Sequence, residues 1–283
     1  MSMRKLTSII EWGSLLFCTG IVCFFLIVII GDIINKGSSA LSWAFVSTLP
    51  TDGMTKGGIL PAIMGTVLLT LITATVSAPF GLCCAIYLNE YASNNWLTRL
   101  IRASIRNLAG VPSIIYGLFG LALFVQGLHM GTSLLSAGFT LGLLSLPYII
   151  TTTEEALRRV PASTREAALG VGATQYESIR DMVLPSASPG ILTGLVLTLS
   201  RAAGETAPIL FTGVAFYINN PTGFLNQEFM ALPYHLYMLS TQHQSIEEVR
   251  PLAYGTALVL IIVVFLLNSF AFYIRNKYSK NEG

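Results

Sequence analysis

Six long apolar runs, separated by short polar segments, dominate the chain. They fall at about 12–34, 58–88, 107–126, 133–153, 188–217 and 252–274. A bilayer hydrocarbon core of about 30 Å takes about 20 residues of helix, and backbone in lipid must satisfy its own hydrogen bonds, which a helix does. The pattern therefore predicts an all-α, polytopic membrane protein with about six transmembrane helices. The second run is long enough to tilt or kink, with Pro79 and Gly81 near its far end. Ser38-Ser39-Ala40 follows the first run as a signal-cleavage site would, but the run exceeds the about 7–15 residues of a signal core. It is expected to be retained as a span.

The longest polar segments are 35–56, 89–106, 154–187 and 218–250. No repeat, flexible linker or soluble domain is visible. The expected organisation is an N-terminal transmembrane helix and outer loop over 1–57, a transmembrane domain over 58–275 with a polar loop at about 154–187, and a tail over 276–283.

Charge gives the runs a direction. With the N-terminus inside, the inside segments hold Arg4, Lys5, Arg99, Arg102, Arg106, Arg158, Arg159, Arg165, Arg180, Arg275, Lys277 and Lys280. The outside segments hold only Lys36, Lys56 and Arg250. Positive charge collects on the cytoplasmic side of membrane proteins, so both termini are expected in the cytoplasm. Composition agrees: 53% of residues are hydrophobic and 11% charged, against about a quarter charged in soluble domains. The expected surroundings are membrane lipid and protein, with no nucleic acid. Cys18, Cys23, Cys83 and Cys84 read as small apolar filler, and His129, His235 and His243 form no cluster. No metal site is expected.

The loop 154–187 reads as two short helices. Ser163 with Glu166, and Thr174 with Glu177, have capping-box spacing. Pro161 precedes the first helix, Gly172 separates the two, and Pro185 is expected to end the second, on which Tyr176, Ile179 and Met182/Val183 share a face. Spacing alone allows an ordinary amphipathic connector. The residue string goes further. Glu166-Ala167-Ala168, three residues, Gly172, nine residues, then Met182-Val183-Leu184-Pro185 resembles the EAA loop of ABC importer permeases, with Met182 the one departure. That resemblance implies a coupling helix seated in a cleft of a cytoplasmic ATPase, with Glu166, Ala167, Ala168, Gly172, Leu184 and Pro185 as coupling residues. Small side chains at 167, 168 and 172 would allow close approach.

One charged pair interrupts the fifth run. Arg201 and Glu205 lie four apart in Ser200-Arg201-Ala202-Ala203-Gly204-Glu205-Thr206-Ala207-Pro208. Arg201 sits about 20 Å past Ser188 on a helix, where an arginine is costly unless it has a partner or a wet cavity. Two readings stand: a structural ion pair, or an arginine facing a translocation pathway and meeting an anion. Pro208 withholds a donor from the Gly204 carbonyl and loosens the helix there. Gly204 would supply permissive backbone and Thr206 a hydroxyl donor.

The string Arg201–Pro208 with Ile209-Leu210-Phe211-Thr212 resembles the signature of PstA-type phosphate permeases. Val111-Pro112-Ser113-Ile114-Ile115-Tyr116-Gly117-Leu118-Phe119-Gly120 and Ala85-Ile86-Tyr87-Leu88-Asn89-Glu90-Tyr91 are similar to their third-span and second-span motifs. The resemblance implies a type I ABC importer permease fold in a prokaryotic plasma membrane. It implies a PstC-type permease partner, a PstB-type ATPase dimer holding ATP and Mg, and an extracytoplasmic PstS-type phosphate-binding protein. Arg201, Glu205 and Thr206 would line the pathway. The outer loop 218–250, with Phe224, Tyr234 and Tyr237, would either dock the binding protein or form an interfacial re-entrant segment.

No H-E-x-x-H, G-x-S-x-G or G-x-x-x-x-G-K-[ST] motif occurs. No catalytic residue and no cofactor are expected in this chain; ATP is expected on a partner. The alternatives left open are a PstC-type chain, a permease for another oxyanion, and a membrane enzyme or channel outside the ABC class.

Overall fold

The computed structural model describes residues 3–218 and 225–280. Helix α1 (Met3–Gly37) is a long apolar rod whose side chains between Trp12 and Ile30 are exposed. It meets the bundle near its C-terminal end, where Lys36 Nζ lies 3.4 Å from the Tyr254 hydroxyl. A short α2 (Trp43–Ser47), capped by the Ser42 hydroxyl, leads into a two-stranded hairpin, β1 (Pro50–Thr51) and β2 (Lys56–Gly57), which turns through Gly53 at φ +64°.

Helix α3 (Leu60–Ile86) starts with Pro61 in its first turn, where no partner for its nitrogen is needed, and runs through Pro79 into a π-helical turn, Tyr87–Tyr91. The third apolar run, expected to form one span over 107–126, is not one straight helix. The chain instead forms α4 (Trp96–Leu108), bends by 100°, and continues as α5 (Ser113–Gly120) with a π-helical extension to Gly127. The cause is Pro112, which disfavours helical backbone at Val111 and follows Gly110. The α4 helix, capped by Asn95, is strongly amphipathic: Leu97, Leu100, Ile101 and Leu108 are exposed on one side, Arg99, Arg102 and Arg106 on the other. The remaining Ser113–Gly127 rod rises only about 22 Å at 1.5 Å per residue.

Helix α6 (Leu134–Arg158) is the buried centre of the bundle. Small residues bring α3 and α6 together: a Cβ on Gly138 would stand 2.4 Å from Ile72 Cγ2, and one on Gly81 would stand 2.5 Å from Ile149 Cγ2. After α6 come α7 (Ala162–Gly170), α8 (Gln175–Ser178), a π-helical turn (Ile179–Val183) and α9 (Leu184–Ala203). Pro185 does not end a helix as expected. It stands in the first turn of α9, and helix is continuous from Gln175 to Ala203. The fifth span thus begins before the expected 188 and stops at 203 rather than 217.

Beyond the break lies α10 (Ala207–Leu210), after which the chain folds back instead of continuing outward. Ala215 donates to the Phe229 carbonyl at 2.8 Å, Phe229 to Gly213 at 3.1 Å, and Leu232 to the Thr66 hydroxyl at 2.8 Å. These bonds satisfy non-helical backbone inside the protein. Phe229, Met230, Ala231 and Leu232 are buried, so this part of 218–250 packs inside the protein. Tyr237 is exposed, and Phe224 lies outside the described residues. Helices α11 (Leu232–Thr241) and α12 (Ile246–Lys280) complete the chain. The turn between them is tied to the hairpin by His243 Nε2, 2.9 Å from the Gly53 carbonyl.

His235 on α11 is buried, and its Nδ1 has no partner among the described residues. Burial pushes its pKa down from 6.5 to about 4. The unfolded chain then binds this proton more readily than the folded one, so His235 leaves stability intact above pH 6.5 and erodes it as pH falls towards 4. The total loss is up to about 3 kcal/mol. Thermal unfolding of the purified protein should show a midpoint falling between pH 7.5 and 5, and His235→Leu should flatten that fall. An equal acid slope in both proteins would refute the assignment.

Candidate functional site

Two polar constellations stand out: one where α9 breaks off partway along the bundle, and one at its basic end, which gathers Arg102, Arg158 and Arg165.

The first forms where α9 stops. Gly204 and Glu205 donate back to the carbonyls of Arg201 and Ala202 at 3.1 and 3.2 Å, closing the last turn. Glu205 therefore lies just past the helix rather than on it, yet still reaches Arg201: Nε donates to Oε1 at 3.4 Å. The pair uses Nε alone. The Arg201 side chain is 53% exposed on the isolated chain, whereas Glu205 is only 16% exposed. The guanidinium carbon sits 4.4 Å from the centre of the Tyr148 ring on α6, a cation–π contact. The Tyr148 hydroxyl donates to the Ala109 carbonyl at 2.7 Å, inside the bend between α4 and α5. Ser200 donates to Asn268 Oδ1 on α12. Ser200, Arg201, Gly204, Glu205, Phe265 and Asn268 line an open groove. Thr206 heads α10 and is not among the lining residues, so the structure joins Arg201 with Glu205 but not with Thr206.

This arrangement holds a charged fork by its ring face and its Nε, and among the described residues neither terminal nitrogen has a hydrogen-bond partner. A planar fork of that kind fits the oxygens of an oxyanion. Sequence reasoning missed Tyr148 and Asn268. Asn268 carried a signal, being a lone amide in an apolar span; Tyr148 carried none.

At the basic end, α7 begins after Pro161, so Ser163 already lies within the helix and the expected Ser163–Glu166 capping box does not form. The Thr174–Glu177 box does form, with bonds of 3.3 and 2.8 Å. Gly172 adopts φ +90° between the helices, as its position implied. Glu166 and Ala167 are exposed, but Ala168 is buried in its own chain and is unavailable to a partner. Leu184 and Pro185 are half-buried at the start of α9. The expected shared face of Tyr176, Ile179 and Met182/Val183 is split by the π-helical turn: Ile179 and Val183 point inward, Tyr176 and Met182 outward. The apolar tip is Leu169 and Val171, the latter 86% exposed.

Behind this tip lie part-buried charges, of which the sequence showed Arg102 and Arg165 as topology markers and Glu90 as a member of the second-span motif. Arg165 donates Nε to Glu90 Oε2 at 3.0 Å and Nη2 to Glu90 Oε1 at 2.7 Å. It also donates to the Val160 and Leu157 carbonyls at 2.9 and 3.0 Å. The Glu90 hydrogen bond raises its pKa further, keeping it charged. Gln175 Nε2 donates to the Glu90 carbonyl at 2.7 Å. Beside them, Arg102 on α4 pairs with Glu154 on α6 at 3.0 Å and also donates to the Leu88 carbonyl.

Comparison with known proteins gives this geometry a context. Residues 77–280 match the model of the family described as binding-protein-dependent transport system inner membrane component. The chain is 32% identical over 276 residues to the probable ABC transporter permease protein YqgI of Bacillus subtilis, covering 94% of each. It is 34% identical over 250 residues to the phosphate transport system permease protein PstA of Pasteurella multocida, covering 88% of this chain and 87% of that one. Its fold is similar to a chain of a bacterial alginate ABC transporter solved with an alginate pentasaccharide-bound periplasmic protein. The TM-score there is 0.66 at 13% identity, over 98% of both chains.

Proposed function

The chain belongs to the family of binding-protein-dependent transport system inner membrane components, and on that premise we propose that it is the permease of an ATP-driven phosphate importer. It is a non-enzymatic membrane subunit, and permeases of this family work with a second permease, an ATPase and a binding protein. The finer reading takes PstC-type, PstB-type and PstS-type partners, with ATP and Mg on the ATPase. It places the basic end and both termini in the cytoplasm of a prokaryotic cell.

The observation that carries the phosphate reading is Arg201, held mid-bundle over Tyr148 with only its Nε committed to Glu205. The likeness to phosphate permeases supports it. In the proposed cycle, ATP binding closes the ATPase dimer, and α7 with the 171–174 turn carries that motion to the spans. The pathway opens outward and takes the anion from the binding protein. Arg201 offsets the anion's desolvation as it passes. Glu205 keeps the arginine neutralised between passages, so binding is weak and release is possible. Thr206, one residue beyond Glu205, adds a hydroxyl donor to the anion's path in this reading.

The test is to reconstitute the complete complex with its binding protein in liposomes and measure which anion stimulates ATP hydrolysis. Phosphate should stimulate; sulfate and molybdate at equal concentration should not. Stimulation by another oxyanion in place of phosphate would transfer the same site to that ion.

A further inference from the structure

The α7 helix has one buried side chain, Ala168, so apolar packing gives it little grip on the bundle. Its grip is Arg165. Four hydrogen bonds from one guanidinium reach three places: both carboxylate oxygens of Glu90 at the end of α3, the Leu157 carbonyl at the end of α6, and the Val160 carbonyl just beyond it. The Leu157 carbonyl already accepts from the Val160 N–H at 3.2 Å in the closing turn of α6, and Arg165 adds a second bond to it. Glu90 is 6% exposed and Arg165 25%. Gln175 on α8 closes the circle through the Glu90 carbonyl. π-helical turns flank this point on both sides, at Tyr87–Tyr91 and Ile179–Val183. Such turns mark places where a helix is interrupted, often for function.

We propose that Arg165 and Glu90 are positioning residues that form a clamp, through which displacement of α7 moves the basic ends of α3 and α6 together. The proposal rests on the reading of α7 as the element that docks the ATPase. Bidentate charge-assisted bonds are directional and stiff, whereas the single alanine contact would let α7 slide. The clamp therefore makes α7 part of the bundle without making it part of the core. The motion has a route inward: α6 carries Tyr148 about 14 Å further along, at 1.5 Å per residue from Leu157, and Tyr148 lies against Arg201.

The experiment uses the reconstituted complex with phosphate, comparing Glu90→Gln, Arg165→Lys and the gentler Gln175→Ala. Three quantities are read: ATPase co-purified, ATP hydrolysed, and phosphate moved. The expected result is that the ATPase stays bound and hydrolyses ATP while uptake falls. ATP spent per phosphate should rise about tenfold or more in Glu90→Gln, less in Arg165→Lys, which keeps charge but not the fork, and least in Gln175→Ala. If Glu90→Gln does not assemble, the ordering of the other two against wild type decides. An unchanged ratio in all variants that assemble, or parallel loss of hydrolysis and uptake, would overturn the clamp. Val171→Asp separates this from the docking premise: if that variant retains its ATPase, docking is misassigned, whatever the clamp variants show.

Discussion

Arg201→Gln is expected to abolish phosphate uptake in a complex that still inserts and still binds its ATPase. The loss should reach about a hundredfold, the scale of two charge-assisted hydrogen bonds to an anion. The competing view is that Arg201 only balances Glu205. The double change Arg201→Gln with Glu205→Gln distinguishes them, because it leaves neither charge stranded in the low-exposure site around Glu205. If Arg201 serves the anion, the double variant transports no better than Arg201→Gln. Arg201→Lys keeps the charge and loses the planar fork, and it also stacks less well on Tyr148, so partial uptake is expected. Uptake should therefore fall in the order wild type, Arg201→Lys, Arg201→Gln. Near-normal uptake in the double variant would leave the pair as scaffolding.

The second large effect lies at the exposed tip beyond α7. Val171→Asp should strip the ATPase from the purified complex while membrane insertion and thermal stability stay unchanged. Val171 is 86% exposed, so the aspartate costs the fold of this chain almost nothing. A loss of binding would then report on the partner's apolar cleft. Gly172→Val acts by another route. Nothing stands within 4 Å of an added Cβ, but φ is +90°, a conformation that costs an L-residue about 1–2 kcal/mol, more when it is β-branched. It should shift the turn and weaken ATPase binding less completely. Ala168→Asp, which the resemblance alone would recommend, is a poor test, because Ala168 is buried and its loss would damage this chain first. Full ATPase recovery with Val171→Asp would mean that the partner engages another surface.

Much of this molecule is legible in one dimension because much of it is set by neighbours in the chain. Apolar length alone places the helices α1, α3, α6, α9 and α12, since each must satisfy its own backbone in lipid. Left-handed Gly172, the Thr174–Glu177 box and the Arg201–Glu205 pair are all contacts within four residues or fewer, or dihedrals of one residue. What sequence reasoning mistook was the phase and continuity of helices: the bend at Pro112, the uninterrupted passage through Pro185, and the face split by the turn at Ile179–Val183. Prolines and π-helical turns have opposite outcomes in different packing, and spacing does not distinguish them. What the tertiary structure alone decided are the partners across the bundle. Arg165 meets Glu90 from 75 residues away, Tyr148 meets the Ala109 carbonyl from 39, and Leu232 reaches the Thr66 hydroxyl from 166. Each of these contacts depends on how far two helices are rotated and how closely they approach. Glycines such as Gly81 and Gly138 set that approach, where a single added carbon would collide with the neighbouring helix.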